Sequence, residues 1–236
     1  EILLEANPDS AYILLNEVKT PDRLNERQFA RWCMLYCRAA DKLFKDMLYT
    51  EQLDRALAWC KNHGTAEQRA WMGLYLGRSY VKDKLFIPAM KAYSDALSLA
   101  KEKYLYDVAG YICSYMADLY TYTGQRSEER RKFEEAAEFF KQAGNERSYA
   151  FALRDVAKTW AFDDSLSLAL HYMLIADSVI TRFQDLRGIS SISNGLGNIY
   201  DLMGDVEKAR TYYSRSLSSD TMDQVPSYLA LSDLYY

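Results

Sequence analysis

The side chains most suited to chemistry are few in this sequence, and their spacing does not indicate catalysis or metal binding. Neither of the two histidines, His63 and His171, has a second histidine, cysteine or carboxylate at ligand spacing on the same helix face. Cys33 and Cys37 are one helical turn apart and could supply half of a metal site, but no second pair follows at a suitable spacing. We therefore predict a protein that is not an enzyme, with no catalytic residue, no metal site and no cofactor.

A second set of side chains is suited to binding. Two pairs within it, Arg154 with Lys158 and Asn194 with Asn198, are spaced by four residues, which places both members of a pair on one helix face. Amides can bond a peptide backbone, cations its carboxylates, and aromatic rings its apolar side chains. The candidate peptide-binding residues are Trp71, Arg78, Tyr111, Phe151, Arg154, Lys158, Asn194 and Asn198.

The composition is that of a folded protein without a nucleic-acid-binding bias. Of the 236 residues, 49% are hydrophobic, which is enough for a continuous core, and no apolar run is long enough to cross a membrane. There are 29 Lys and Arg against 33 Asp and Glu, whereas nucleic-acid-binding modules usually have a basic excess. We therefore expect no nucleic-acid partner and no transmembrane segment in this region, and we expect the four cysteines to be buried packing residues.

A repeat with a period of 40 residues organises the elements that carry the candidate side chains. With Ser190 taken as position 1, position 8 is small in five successive copies: Cys37, Gly77, Ala117, Ala157 and Gly197. Position 24 is large and apolar: Leu53, Tyr93, Phe133, Met173 and Tyr213. Position 27 is small again: Ala56, Ala96, Ala136, Ala176 and Ser216. These columns predict helix hairpins that close tightly at the small residues and must stack on one another to bury their apolar faces.

Glycines mark the expected turns of this repeat. Gly124 and Gly204 stand at position 15, between the two helices of a copy. Gly64 and Gly144 stand at position 35, after the second helix, where we expect a left-handed backbone conformation to cap the helix.

The repeat resembles the tetratricopeptide repeat (TPR). The family pattern W-x2-L-G-x2-Y, followed by an alanine, is matched by LGRSY at 76–80 and LGNIY at 196–200, with Ala89 and Ala209 as the later alanine. The period of 40 exceeds the family's 34, and the closing proline is absent. The resemblance implies an all-α fold, an α-α superhelix of stacked antiparallel hairpins without a sheet. It also implies that the first helices, which carry the candidate residues, line a concave groove for a protein or peptide partner.

We expect one TPR-like domain over residues 1–236. It would comprise a partial helix pair at 1–29, repeats at about 30–69, 70–109, 110–149, 150–189 and 190–224, and a truncated repeat at 225–236. In the partial pair, Asp9 or Ser10 is the expected N-cap of a helix that ends at Thr20-Pro21.

A narrower resemblance concerns the opening of the chain. The segment EANPDSAYILLNEV at 5–18, with a copy that ends in KNHG at 61–64, is similar to a bacterial group of exported TPR proteins. In that group a signal or lipoprotein segment precedes such an opening, and many members continue into a transmembrane helix, a coiled coil and a helix-turn-helix module. The resemblance implies the partner-sensing region of a larger bacterial regulator or lipoprotein. This region would be exported or periplasmic and membrane-anchored in the full-length protein, with a cytoplasmic location as the alternative.

Two other functions stay open at this point. The array could be a structural spacer or oligomerisation arm, and a homodimer is compatible with the sequence. It could also be an accessory module that binds a small ligand such as a glycan.

Overall fold

The structure, a computed structural model, describes residues 2–19 and 21–219. These residues form twelve α-helices and a short 3₁₀ turn at Pro21–Arg23, and no strand is found among them. The helices are α1 Ile2–Ala6, α2 Pro8–Asn16, α3 Glu26–Lys42, α4 Thr50–His63, α5 Ala66–Lys82, α6 Phe86–Glu102, α7 Tyr106–Tyr122, α8 Arg126–Ala143, α9 Glu146–Phe162, α10 Leu166–Arg182, α11 Leu186–Leu202 and α12 Val206–Ser219. The expected all-α fold class is confirmed.

From α3 onward the helices are arranged as hairpins. The first helix of each hairpin, which we call the A helix, begins 40 residues after the previous one, at Glu26, Ala66, Tyr106, Glu146 and Leu186. The second is called the B helix. The truncated repeat expected at 225–236 lies outside the described residues.

The chain divides into two compact units. Unit 1 extends to Leu119 and unit 2 begins at Tyr120, so the boundary falls within the last turn of α7. Unit 1 contains α1 to α6 and most of α7, and unit 2 contains α8 to α12.

In two of the five hairpins, α5–α6 and α11–α12, a glycine at position 8 of the A helix faces a tyrosine ring at position 24 of the B helix. In unit 1, a Cβ atom added to Gly77 would lie 2.3 Å from Cε1 of Tyr93. In unit 2, a Cβ atom on Gly197 would lie 2.5 Å from Cδ1 of Tyr213. Because carbon atoms pack at about 3.5–4.0 Å, no side chain fits at either glycine without moving the ring. The close approach expected at position 8 is confirmed at both glycines.

Position 27 provides a second close contact in the hairpins. A Cβ atom on Gly73 would lie 2.9 Å from the Cβ atom of Ala96. In the last hairpin Ser216 occupies position 27, and its hydroxyl donates to the backbone oxygen of Ser190 at 2.9 Å, while the Ser190 hydroxyl donates to the backbone oxygen of Ser216 at 3.1 Å. A small polar side chain is tolerated in this buried place because both hydroxyl groups are hydrogen-bonded.

Every turn from an A helix to its B helix contains one residue in the left-handed conformation. Gly124 and Gly204 adopt φ angles of 71° and 78°, as expected for glycine. At the equivalent position, Phe44, Lys84 and Asp164 adopt φ angles of 54°, 59° and 54°. This conformation costs a non-glycine residue about 1–2 kcal/mol, so these three turns are strained.

Two details at helix ends differ from expectation. Gly64 is extended, with φ −89° and ψ 158°, and so does not provide the expected left-handed cap, whereas Gly144 does, at φ 69°. The next helix begins at the same spacing in both places, with Thr65 and Asn145 as the N-caps of α5 and α9. Glycine is still needed at residue 64, because an added Cβ atom would lie 2.9 Å from the carbonyl oxygen of Cys60.

The N-terminal helix also begins earlier than expected. Asn7, and not Asp9 or Ser10, caps α2, since its side chain accepts a hydrogen bond from the Ser10 backbone N–H at 3.0 Å. Pro8 occupies the first turn of the helix, where a missing N–H is harmless. The helix ends at Asn16 and does not continue to the residue before Pro21.

The expected burial of the cysteines is confirmed. Cys33, Cys37, Cys60 and Cys113 are all buried free thiols. Burial raises the pKa of Cys37 to about 12, so this thiol stays protonated and unreactive in the folded protein.

We predict that Lys84→Gly increases the free energy of unfolding by about 0.5–1 kcal/mol, because glycine removes the left-handed strain at this exposed turn. Urea denaturation followed by circular dichroism measures the change. The control is the reverse change at the equivalent turn position, Gly124→Ala, which should lower the free energy of unfolding. No atom lies within 4 Å of the added Cβ, so the substitution introduces backbone strain only. The two substitutions should shift the midpoint in opposite directions, and a shift in the same direction would contradict this explanation.

Candidate functional site

The candidate residues lie on A helices in both units, and each unit presents its own A-helix face. We define the A-helix face of unit 1 by Asp41, Trp71, Arg78, Tyr111 and Tyr115. We define the A-helix face of unit 2 by Phe151, Arg154, Asp155, Lys158, Ser191, Asn194 and Asn198.

Two of the predicted residues form an aromatic stack in unit 1. The ring centroids of Trp71 on α5 and Tyr111 on α7 are 5.5 Å apart at an interplanar angle of 42°, and both residues are half-buried. Trp71 also stacks on Tyr75 with centroids 5.8 Å apart. The stack joins neighbouring A helices and leaves part of two rings accessible for an apolar ligand group.

Arg78, the predicted cation of unit 1, is already engaged by a carboxylate. Its guanidinium forms an ion pair with Asp41 on α3 and lies 4.5 Å from the ring centroid of Tyr115 on α7. The Tyr115 hydroxyl donates a hydrogen bond of 2.9 Å to the same Asp41 oxygen. The Arg78 and Asp41 side chains are only 19% and 23% exposed. Arg78 therefore connects three A helices instead of offering a free charge to a ligand.

The electrostatics of this cluster keep the tyrosine neutral. Burial, together with the negative charge of Asp41, raises the pKa of Tyr115 well above its usual value. Its hydroxyl thus remains a donor to Asp41 at any physiological pH. Asp41 was not among the predicted residues, although it lies on α3, one of the first helices that the resemblance placed along the groove.

In unit 2 the side chain of Phe151 lies between two cations. The guanidinium carbons of Arg147 and Arg154 are 5.2 Å and 4.9 Å from its ring centroid. Both distances fall within the range of cation–π attraction, which holds the arginine stems against the half-buried ring.

Arg154 fastens α9 to α11 and shares a carboxylate with Lys158. It donates to both oxygens of Asp155 at 2.9 Å, and its third nitrogen donates to the Ser191 hydroxyl on α11 at 2.9 Å. The Lys158 ammonium lies 3.3 Å from Asp155 and is 51% exposed. Two cations therefore meet one carboxylate, and about half of the Lys158 side chain stays exposed. Asp155 was also not among the predicted residues, because the sequence alone did not show that its carboxylate contacts both Arg154 and Lys158.

The asparagines on α11 complete the face of unit 2. Asn194 is half-buried, and Asn198, one turn further along the helix, is exposed. Through the Arg154–Ser191 hydrogen bond, α11 is held beside the helix that carries Phe151 and Lys158. The structure thus brings Phe151, Arg154 and Lys158 into one cluster and Trp71 and Tyr111 into another.

The comparisons with known proteins concern the fold. No family model matches the chain, and no curated protein matches it. Among solved structures, BtubC (BKLC) from P. vanneervenii has a TM-score of 0.69 at 16% identity, covering 97% of this chain and 92% of that one. A Rap protein complexed with Competence and Sporulation Factor has a TM-score of 0.66 at 17% identity, covering 99% and 68%. A Podosopora anserina putative kinesin light chain with nearly identical TPR-like repeats has a TM-score of 0.60 at 13% identity, covering 85% and 95%.

The fold is that of the TPR-like repeat proteins. The resemblance noted at LGRSY and LGNIY is confirmed at this level. In this TPR-like chain the glycine of each motif faces a tyrosine ring, so the motif residues are explained by packing and do not form a site.

Residues 2–19 and 21–219 of the TPR-like chain contain no group of three His, Cys, Asp or Glu side chains placed to hold a metal ion. None of their helices combines the length and the apolar character that a membrane crossing requires.

We predict that Asp41→Asn lowers the free energy of unfolding by about 1–2 kcal/mol, because the partly buried Arg78 loses its counter-charge. The matched control is Asp46→Asn, whose carboxylate is 83% exposed and lies 3.5 Å from Lys82. A surface pair of this kind contributes little, so the control should change stability by less than about 0.5 kcal/mol. Chemical denaturation of both variants measures the difference, and equal losses would contradict a structural role for Asp41.

Proposed function

We propose that this chain is a non-enzymatic interaction scaffold. Its A-helix face of unit 2 would bind an extended segment of a partner protein or peptide that carries acidic side chains. The observation that carries the proposal is the cluster of Phe151, Arg154, Asp155 and Lys158, in which two cations meet one carboxylate beside a half-buried ring.

The charge of the cluster favours an acidic ligand. The whole chain has a net charge of −4, whereas this cluster holds two cations, Arg154 and Lys158, beside one carboxylate, Asp155. Lys158 is the more exposed of the two cations, at 51% against 19% for Arg154, and its ammonium lies 3.3 Å from Asp155. A ligand carboxylate could bind its ammonium without removing the Arg154–Asp155 pair. The ring of Phe151 would take an adjacent apolar group of the ligand.

The geometry of the cluster lowers the cost of binding. The hydrogen bond between Arg154 and Ser191 fixes α9 beside α11, so Lys158 and Asn198 are held at a constant separation before any ligand arrives. Interactions that are fixed in the free protein need not be ordered on binding. An exposed amide such as that of Asn198 can bond the backbone of an extended segment without regard to its sequence.

A solved relative in fold supports the capacity to bind a partner. The Rap protein that matches 99% of this chain was solved in complex with Competence and Sporulation Factor. We transfer from it only the idea that a chain of this fold accommodates a bound factor.

We extend the proposal to the cellular role that the opening segment implies. The similarity of residues 5–18 to exported bacterial TPR proteins supports a partner-sensing region within a larger regulator or lipoprotein. The A-helix face of unit 2, which we propose to bind an acidic segment, would then be the place where the partner is sensed.

Short peptides displayed on phage and selected on the wild-type protein test this function. We predict that the selected sequences are enriched in Asp and Glu beside apolar residues. Fluorescence anisotropy of the resynthesised peptides should show Lys158→Glu lowering the affinity by about tenfold or more, because a repulsive charge replaces an attractive one. The control Lys141→Glu, at an exposed site on α8, changes the net charge equally and should leave the affinity unchanged.

Two results would contradict the proposal. If the selected peptides bind Lys158→Glu as tightly as the wild type, the A-helix face of unit 2 is not the site. If selection enriches no sequence, the structural-spacer function is favoured instead.

A further inference from the structure

A second surface, away from the A-helix face, exposes large apolar side chains at the hairpin turns of unit 2. Tyr122, Phe162 and Leu202 are 70%, 73% and 57% exposed. They are spaced by 40 residues and each is the last residue of its A helix, α7, α9 or α11. Met203 and Val206, in the turn and first turn that follow Leu202, are 45% and 41% exposed and continue the surface.

This apolar surface, which we call the stripe, contains an opening that a partner side chain could fill. A cavity of about 140 Å³ lies between the Gly124 turn and the ring of Phe162, and it is lined by Thr121, Gly124, Arg126, Glu129, Thr159 and Phe162. The Arg126 guanidinium lies 5.0 Å from the Phe162 ring centroid, and Glu129 accepts a hydrogen bond of 2.9 Å from Thr121. One cation and one carboxylate thus offset each other within the cavity and leave the ring face as its apolar wall.

The rim of the stripe is acidic. Asp164 and Asp201 are exposed, one in the turn after Phe162 and the other directly before Leu202, and neither forms an ion pair with the described residues. Besides Glu129 in the cavity, Asp163 and Asp205 near this edge are already engaged, Asp163 by Arg130 and Asp205 by Lys208. An apolar surface with two available carboxylates is complementary to a segment that combines apolar and basic side chains.

Packing of the hairpins does not require the apolar stripe. At the equivalent place in unit 1, the last residues of α3 and α5 are Lys42 and Lys82, both exposed. The same turn therefore tolerates a lysine, and large apolar residues at three successive turns are not explained by the fold. A single exposed apolar residue is ordinary, but a continuous group of them marks an interaction site.

We propose that the turn edge of unit 2, defined by Tyr122, Phe162 and Leu202 with Asp164 and Asp201, binds an amphipathic, basic helix of a partner protein. Packed helix axes lie about 8–10 Å apart, so anchors on successive A helices should follow one another at about that spacing. Residues seven apart on a partner helix are separated by about 10.5 Å, which matches such a ladder of anchors. Lys or Arg beside the anchors would pair with the two carboxylates.

A short Leu/Lys amphipathic helical peptide is the probe, and its Leu/Glu counterpart of the same pattern is the reference. We expect the Leu/Lys peptide to bind the wild-type protein and the Leu/Glu peptide not to bind. Phe162→Ser combined with Leu202→Ser should weaken binding about tenfold, and Asp164→Asn combined with Asp201→Asn about three- to tenfold. All four side chains are exposed, so circular dichroism should show an unchanged fold.

Matched controls separate this edge from general attraction of a basic peptide to an acidic protein. Leu174→Ser removes an exposed leucine of α10, and Glu134→Gln with Glu138→Gln removes two exposed charges of α8. Both controls should bind the Leu/Lys peptide as the wild type does. The proposal is overturned if the controls lose as much affinity as the edge variants, if the edge variants lose none, or if the wild type does not bind the peptide.

Sedimentation velocity tests the alternative that the turn edge of unit 2 binds a second copy of this chain. The proposal predicts that the wild-type protein and the variant with Phe162→Ser and Leu202→Ser sediment as the same species. If the wild type self-associates and this variant does not, the edge is an interface between copies, and the partner-helix proposal is wrong.

Discussion

Close packing of a small residue at position 8 of the A helix is the constraint on which the hairpins depend, and it is tightest where a glycine meets a tyrosine ring of the B helix. Gly77 with Tyr93, and Gly197 with Tyr213, let the two helices of a hairpin meet at a distance that no larger side chain at the glycine would permit. Both tyrosine rings are almost completely buried, so each contributes its apolar surface to the inner side of its hairpin. The A-helix residues that do not face the B helix form a separate surface, which is not needed for packing within the hairpin.

The charged side chains on the A helices differ in how far they are enclosed by neighbouring side chains. Arg78 is enclosed by Asp41 and Tyr115 and holds three A helices of unit 1 together. Lys158 occupies the equivalent repeat position two hairpins further along the chain, but it remains half-exposed and shares its carboxylate with Arg154. A cation at the same repeat position is thus mostly enclosed in one unit and half-exposed in the other. Binding is proposed for the second case because its ammonium can be reached from solvent beside the Phe151 ring.

The sequence was sufficient for the architecture because the period of 40 residues and the alternation of small and large residues follow directly from helix packing. It was not sufficient for the partners of the charged residues. The carboxylate of Asp41 lies 37 residues before Arg78, and such a pairing depends on how neighbouring copies face each other, which a comparison of equivalent columns does not reveal. The strained turn at Lys84 was missed for a related reason, since its conformation is imposed by the Leu85 N–H bond of 2.8 Å to the Tyr80 carbonyl and not by the residue itself.

The measurement that tests this account most directly is a double-mutant cycle between residues 77 and 93. Gly77→Ala should lower the free energy of unfolding by about 1–3 kcal/mol, because the new methyl group overlaps the Tyr93 ring. Tyr93→Leu should lower it as well, since a large buried ring is lost. The account predicts that the double variant is more stable than the sum of the two losses by at least about 1 kcal/mol, because the smaller leucine makes room for the methyl group. Additive losses, within about 0.5 kcal/mol, would contradict the claim that this contact closes the hairpin.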